Sequence, residues 1–229
     1  PSLFFSFFFL FCFLFFDKDF LFFLFWCFFF IFLGFVFIFR RFSAKSEGVF
    51  FILNEIIGEV RMESSWFTYR NIEDQGPTPH GGGRTINPNF SYQCHNGQIY
   101  SALTRVVFEL NEVKRGDGGT LFMPGSHKSN FPMPKEHRRV ESPLLETYNC
   151  PPGSAVIFTE NLCHSGDTWK NPDYPRIAVF NCYNFVGCQF HKPSVPQVII
   201  DHLPPEKKIF FRDVRTWNQG GANNGRNLH

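Results

Sequence analysis

Between about residues 61 and 186 the chain consists of short apolar runs, and no stretch there has the 3.6-residue period of a helix. The runs are rich in β-branched and aromatic residues, and clusters of Gly, Pro and Asn separate them. The strand candidates, in chain order, are RMESSWFTYRNI, YSALTRVVFELNEV, TLFMPGSHK, PPGSAVIFTENLCH and RIAVFNCYNFV. Short strands joined by tight turns predict a mostly β fold, either a sandwich or a jelly-roll barrel.

Helices are predicted only at the two ends of this region. SEGVFFILNEIIGEV has the pattern of a short amphipathic helix, and Gly58 is placed to end it. LPPEKKIFFRDV predicts a second helix that starts at its prolines. Both would flank the β region.

Phenylalanine divides the chain into two unlike pieces. Of the 34 Phe residues, 21 lie within residues 1–42. The sequence therefore predicts a low-complexity segment, 1–42, followed by a globular domain, 43–229.

The Phe-rich segment has two interpretations. Its stretch Phe20–Phe39 carries no charge and is followed by Arg40 and Arg41, which fits a membrane span with the globular domain in the cytoplasm. The favoured alternative is a gene-model artefact, because a translated T-rich non-coding tract would yield Phe, Leu and Ser, and because the chain begins at Pro1. We therefore expect a cytoplasmic protein, anchored to a membrane only if this segment is genuine.

Charge and cysteine content exclude several classes of protein. The formal net charge of +2 gives no basic field for nucleic acid, so no nucleic-acid partner is expected. Seven cysteines without CxxC pairs argue against a disulfide framework and a structural zinc site. A reducing compartment is the resulting expectation.

The stretch FTENLCHSGDTWKNPDYPR holds the residues most indicative of chemistry. His164 follows an apolar run and Arg176 opens the next one, so the two are predicted to be antiparallel neighbours across a hairpin. A neutral imidazole can bind a transition metal, and a guanidinium can hold a carboxylate at two points. Together they suggest a small dicarboxylate that chelates a metal ion, whereas His164 alone would be an ordinary hydrogen-bonded rim histidine.

The stretch GDGGTLFMPGSHKSNFP predicts a sharp turn, a short strand and a second tight turn set by Pro124 and Gly125. We expect His127 to hold this turn by hydrogen bonds and not to bind metal.

These two stretches, with PRIAVFNCY, resemble the phytanoyl-CoA dioxygenase family over about residues 46–215. The resemblance implies a double-stranded β-helix (a jelly-roll, cupin-like barrel) and a non-haem Fe(II) enzyme that uses 2-oxoglutarate and dioxygen on a small-molecule substrate. It also implies that His164 is the distal iron ligand and that Arg176 binds the far carboxylate of 2-oxoglutarate. Since the family carries further elements ahead of this region, we expect the chain to be N-terminally truncated or mis-assigned at its start.

The chain departs from the family at the first metal-binding motif, His-x-Asp. The two upstream candidates, His80 and His95, have glycines, Gly82 and Gly97, where the acid should be. We prefer His80 as catalytic residue and metal ligand, because His95 leaves too little chain before the long strand YSALTRVVFELNEV. His95 stays the alternative, and either could be a plain loop histidine.

A His-x-Gly motif leaves one iron position without its carboxylate. Glu160, Asp117, water or chloride could fill it. The function predicted first is a hydroxylating Fe(II)/2-oxoglutarate-dependent dioxygenase. The alternatives are a catalytically degenerate jelly-roll binding protein and a halogenase-like variant that uses the open position.

Overall fold

Antiparallel β-strands form the body of the protein in the computed structural model, which describes residues 47–81, 91–191 and 195–215. Eight strands fall within these ranges, and each predicted run contains at least part of one, whereas the strand Tyr92–His95 was not predicted. The eight strands are β1 (Val60–Arg70), β2 (Tyr92–His95), β3 (Gln98–Ser101), β4 (Thr104–Glu109), β5 (Thr120–Phe122), β6 (Ser154–Thr159), β7 (His164–Gly166) and β8 (Arg176–Phe185).

The larger sheet has four strands in the order β1-β8-β4-β6. Every neighbouring pair is antiparallel. Because no two neighbours are consecutive in the chain, the chain leaves this sheet and returns to it several times. β5 and β7 form a smaller sheet, and β2 and β3 form a separate hairpin. This distribution of sequential strands between two sheets is the pattern of a jelly roll.

The core lies between the larger sheet and the β5-β7 pair. Val107, Phe158 and Ala178 are its buried centre, and all three come from the larger sheet. From the smaller sheet, the ring of Phe122 packs edge-on against Phe158 at 4.8 Å between centroids. The prediction of a mostly β, jelly-roll fold is confirmed.

Helix α1 (Glu47–Ile57) packs against the larger sheet, where the ring of Phe50 meets Tyr183 of β8 edge-on at 6.2 Å between centroids. Its buried side chains, Val49, Leu53 and Ile57, recur every four residues and so form one stripe. The helix ends as predicted, because Gly58 adopts a positive φ of 88° there.

The other helices are short. α2 covers Gln197–Asp201, α3 covers Pro205–Lys208, and a single 3₁₀ turn, Ile209–Phe211, continues α3. The helix predicted from LPPEKKIFFRDV is thus present only as two short pieces. Phe210 in the 3₁₀ turn is buried and stacks on Phe50 of α1 at 4.8 Å, so tertiary packing decides its position.

The long strand predicted from YSALTRVVFELNEV is interrupted. A bend at residues 102–103 separates β3 from β4. The hydroxyl of Thr104 donates to the carbonyl of Ser101 at 3.2 Å and contacts its hydroxyl at 2.9 Å, which closes the bend. β3 consequently joins the β2 hairpin while β4 enters the larger sheet.

The chain divides into two units, Pro1–Gly48 and Val49–His229, and the strands all belong to the second. The possible span Phe20–Phe39 and the boundary after residue 42 lie outside the described residues. Within residues 47–81, 91–191 and 195–215, no helix combines the length and the apolar character that crossing a membrane requires.

Gly118, in the predicted GDGG turn, offers a test of the packing. Its φ is 98°, and a Cβ there would lie 1.8 Å from the carbonyl oxygen of Thr168. Gly116 has a similar φ of 99° but open space around it. We expect Gly116→Ala to lower the free energy of unfolding by about 1–2 kcal/mol through backbone strain, and Gly118→Ala to lower it by about 1–3 kcal/mol more through the clash. Urea unfolding of both variants measures the difference, and equal losses would contradict the close approach.

Candidate functional site

His80 and His164 meet at the edge of the smaller sheet. The segment around His80 pairs with β7 through one bridge, in which the two residues exchange backbone hydrogen bonds of 3.0 and 2.9 Å. Their ring centroids are 4.2 Å apart. Two residues separated by more than 80 positions in the chain therefore present neighbouring imidazoles.

Gly81 permits this approach. A Cβ at this position would lie 2.8 Å from the carbonyl oxygen of Leu162 and 2.9 Å from that of Glu160. Only a glycine after His80 lets the strand lie so close to the loop that precedes His164.

The hydrogen bonds of the two rings fix which nitrogen is free. Nδ1 of His80 lies 2.7 Å from the carbonyl oxygen of Thr78, and Nδ1 of His164 lies 2.7 Å from that of Leu162. Because a carbonyl only accepts, Nδ1 must donate in both rings, and each Nε2 keeps its lone pair. This is the tautomer in which imidazole binds a metal ion through Nε2.

Burial keeps His164 neutral. Its side chain is buried, which lowers its pKa to about 4; Glu160 opposes this shift and His80 adds to it. The ring is therefore unprotonated at neutral pH. His80 is exposed, so the histidine pair is open to solvent on the His80 side.

Glu160 lies beside the pair. Burial raises the pKa of its carboxyl. The charge and hydrogen bond of Arg105, followed by the two histidines, lower the pKa by more than burial raises it, so the net shift is downward. Glu160 is thus ionised, and its carboxylate pairs with Nε of Arg105. The second guanidinium nitrogen of Arg105, Nη1, is buried and has no hydrogen-bond partner.

No third ligand completes the site among the described residues, where no three His, Cys, Asp or Glu side chains are grouped so as to hold a metal ion. Asp117 accepts hydrogen bonds from the backbone of Lys114 and from Asn171, and so serves its own turn. Gly82, the residue at the expected carboxylate position, lies outside the described residues.

Arg176 does not share a hairpin with His164, contrary to the sequence prediction. His164 belongs to β7, which pairs with β5, whereas Arg176 begins β8 in the larger sheet. The two residues converge from facing sheets. Phe122 of β5 is opposite His164, and Thr120, two residues along β5, contacts Arg176, so the guanidinium lies about 7 Å further along the sheet.

The guanidinium of Arg176 is held in a buried polar network. It donates through Nε to Glu109 Oε2 at 3.2 Å, through Nη2 to Glu109 Oε1, and through Nη2 to the hydroxyls of Thr120 at 2.9 Å and Tyr148 at 3.2 Å. Burial opposes its charge, but Tyr148 and Glu109 outweigh burial and raise its pKa. Arg176 is consequently a fixed cation that already has one carboxylate partner.

Sequence reasoning missed the partners of Arg176 in this network, which are Glu109, Thr120 and Tyr148. It also missed Arg70, which stands opposite Arg176 in the register of β1 and β8. Glu109 could have been predicted from the sequence, because Arg105, Val107 and Glu109 lie two residues apart in β4 and so face the same side. Two charged residues on the face of an apolar one indicate a buried polar site. Tyr148 lies in a loop, and Arg70 ends β1, so neither carried a signal of its own.

An aromatic wall lines the same face between the two ends of the site. Trp66 of β1 stacks on Phe180 of β8, with centroids 5.4 Å apart and planes 7° from parallel. The guanidinium of Arg105 lies over the Trp66 ring at 4.0 Å. Trp66 is 41% exposed, so part of this wall is available to a ligand.

The other two candidate histidines lie elsewhere. His95 is exposed at the end of β2, and its Nε2 donates to Gln93 at 3.0 Å. We expected hydrogen bonds of His127 to hold its turn, but its ring makes none through Nδ1, which is buried without a partner. Its main-chain carbonyl instead accepts from Asn161 at 2.8 Å.

Comparisons with known proteins agree with this architecture. Residues 70–178 match the family described as phytanoyl-CoA dioxygenase (PhyH). A comparison with curated protein sequences gives no match.

Among solved structures, HygX from Streptomyces hygroscopicus is similar in several ligand-bound states. With nickel, 2-oxoglutarate and hygromycin B bound, it is 17% identical, with a TM-score of 0.56 over 64% of this chain and 65% of HygX. With nickel and 2-oxoglutarate, it is 17% identical, with a TM-score of 0.53 over 60% and 61%. With iron, it is 16% identical, with a TM-score of 0.53 over 60% and 63%.

The chain thus spans less than two thirds of HygX, and the likeness supports the fold. The matched residues 70–178 run from the end of β1 into β8 and contain both histidines and Arg176. Through these residues, the chain is similar to the phytanoyl-CoA dioxygenase family.

Proposed function

We propose that this protein is an Fe(II)- and 2-oxoglutarate-dependent dioxygenase that hydroxylates a small organic molecule. One observation carries the proposal. Two imidazoles with free Nε2 atoms, His80 and His164, adjoin each other, and the buried cation Arg176 follows about 7 Å further along the facing strands. The match of residues 70–178 to the phytanoyl-CoA dioxygenase family and the ligands of HygX support it.

The residues present fit an iron(II) ion. His80 and His164 would hold it through Nε2, since each Nδ1 is tied to a backbone carbonyl. Bound iron supplies the oxidative chemistry, in which 2-oxoglutarate, dioxygen and a C–H bond yield succinate, carbon dioxide and an alcohol. The role of the protein is to bind, orient and exclude water.

Arg176 orients the cosubstrate. Its guanidinium is fixed by Glu109 and by the hydroxyls of Thr120 and Tyr148, so a carboxylate that reaches it meets a rigid set of donors. Fixing the far end of the diacid sets the position of its 2-oxo acid head relative to the histidines.

Glu160 is our candidate for the carboxylate that the His-x-Gly motif lacks. It is partly buried, ionised and electrostatically coupled to both histidines. Its ion pair with Arg105 would have to open for it to reach a metal ion. If it stays paired, water or chloride occupies that position, and chloride would permit the halogenase-like reaction.

The aromatic wall suggests where the organic substrate binds. Trp66 and Phe180 present a flat, partly exposed apolar surface on the same side of the larger sheet as Arg176. Such a surface suits a small molecule with an apolar face, and nothing in it requires coenzyme A. Dioxygen as co-reactant, a cytoplasmic location and the absence of a nucleic-acid partner stay predictions.

A degenerate binding protein is the second candidate. Two observations favour it: the described residues contain no three-residue metal group, and Arg176 already has Glu109 as a partner. Such a protein would bind a ligand in the same jelly roll without turnover.

Turnover distinguishes the candidates. With the full chain, iron(II) and oxygen, we expect 2-oxoglutarate to be converted to succinate, and Arg176→Ala to lower the rate on the order of 100-fold by misplacing the cosubstrate. Succinate release is measured with and without chloride. Arg139→Ala, which removes an exposed arginine in a loop, is the matched control and should keep the wild-type rate.

Each outcome bears on one candidate. Succinate production that needs iron supports the oxygenase, and a chlorinated product only in chloride would favour the halogenase-like variant. Metal binding without succinate would exclude the oxygenase and leave the degenerate protein.

A further inference from the structure

The pair formed by Arg176 and Glu109 is electrically neutral. Arg176 is 1% exposed and Glu109 is fully buried, and the two are joined through both carboxylate oxygens. A second carboxylate that approached this pair would meet one positive and one negative charge. Arg176 alone therefore supplies geometry for a diacid but little net attraction.

Arg70 brings a second guanidinium to the same place. It is the last residue of β1 and stands directly opposite Arg176 in the antiparallel register. Opposite residues of an antiparallel pair project to the same face, with Cβ atoms about 4.5–5.5 Å apart. The side chain is 8% exposed, so this second cation is also buried.

Arg70 has no carboxylate of its own. Its Nη1 donates to the carbonyl oxygen of Asp167 at 2.7 Å, and its Nε is buried without a partner. The Asp167 carboxylate is bound instead to Lys170 Nζ at 2.7 Å. In the described part of the chain no carboxylate lies within ion-pair distance of the Arg70 guanidinium.

The charge on Arg70 is consequently unfavourable as the structure stands. Burial, followed by the charge of Arg176, lowers its pKa to about 10, so it stays protonated at neutral pH. Two cations and one acid on one buried face leave a net charge of one positive unit. A buried charge without a counterion destabilises a fold unless a ligand neutralises it.

We propose that Arg70 and Arg176 together bind the far carboxylate of the diacid cosubstrate, and that Glu109 orients Arg176 and limits the net charge of the site. The inference rests on the proposed function and adds to it the residue that provides the attraction. It also predicts selectivity for 2-oxo acids that carry a second negative charge.

Calorimetry with two ligands tests it. The full chain loaded with nickel(II) is titrated with 2-oxoglutarate and with 2-oxopentanoate, which has the same 2-oxo acid head and a methyl group in place of the far carboxylate. Because a charge-assisted contact is lost, we expect Arg70→Gln to weaken the binding of 2-oxoglutarate at least about tenfold. The affinity for 2-oxopentanoate should stay unchanged. Arg70→Lys should recover part of the affinity, and Arg139→Gln, an exposed charge loss, should change nothing.

The outcomes separate the two proposals. If the wild-type protein does not prefer 2-oxoglutarate, the proposed function fails, and the role of Arg70 fails with it. If the wild type prefers it and Arg70→Gln keeps the same preference, only the role of Arg70 is overturned. Equal weakening of both ligands would also overturn it, because Arg70 would then act on the fold.

Discussion

Replacing His164 with alanine is expected to weaken the binding of nickel(II) or iron(II) by at least about 100-fold, more than the loss of an outer-shell partner usually does. The reason is the donor set. Among the described residues, only two imidazoles with free Nε2 atoms adjoin each other. Each therefore contributes a large part of the affinity for the metal ion. His80→Ala should have the same effect. Calorimetry of metal binding to the full chain measures both.

The structure also supplies the control. His95→Ala removes an exposed histidine whose Nε2 is bonded to Gln93, and it should leave metal affinity unchanged. The bridge between the segments of His80 and His164 is made by main-chain atoms, so alanine at either position keeps it. Loss of metal binding in His95→Ala, with binding retained in His164→Ala, would refute the proposed site.

The sequence predicted the strands of this protein better than their partners. Strand runs follow from local alternation and turn residues, so β1, β5, β6 and β8 were all anticipated. Whether two successive strands pair depends on the rest of the fold. β7 has only three residues and pairs with β5. The connection from β7 to β8 contains Trp169, which is fully buried and whose ring N–H donates to the carbonyl oxygen of Tyr174 at 2.8 Å. The predicted hairpin between His164 and Arg176 therefore does not form.

The candidate site shows the same division. The placement of His80 beside His164 followed from counting how much chain the intervening strands need, which is a sequence argument. The pairing of Arg176 with Glu109 and the position of Arg70 opposite it depend on the registers of three strands. Registers are fixed by tertiary packing, and a single sequence does not specify them.

Removing Arg176 is expected to destabilise the protein severely, apart from any effect on activity. Among the described residues, Arg176→Met would leave the buried Glu109 carboxylate without an ion pair, because Arg70 lies beyond ion-pair distance. The Tyr148 hydroxyl would be its remaining side-chain donor, at 2.5 Å. An unpaired buried charge of this kind lowers the free energy of unfolding by about 3–5 kcal/mol. Urea unfolding of the full chain measures the loss.

A double variant shows whether the loss comes from the stranded charge. Arg176→Met with Glu109→Leu replaces the pair by apolar side chains, and most of the stability should return. A deficit of about 1 kcal/mol should persist, because the buried Tyr148 hydroxyl loses its acceptor. Lys170→Met, which breaks the partly exposed pair with Asp167, is the control and should change stability by no more than about 1 kcal/mol.

The double variant separates the structural role of Arg176 from its role in binding. If the pair were needed only for the fold, a folded double variant would bind 2-oxoglutarate as the wild type does. Under the proposed function it folds and its preference for 2-oxoglutarate over 2-oxopentanoate is reduced, because Arg70 still attracts the far carboxylate but lacks the rigid donor set around Arg176. A single variant that unfolds no more easily than the wild type would show instead that the buried pair with Glu109 does not form in solution.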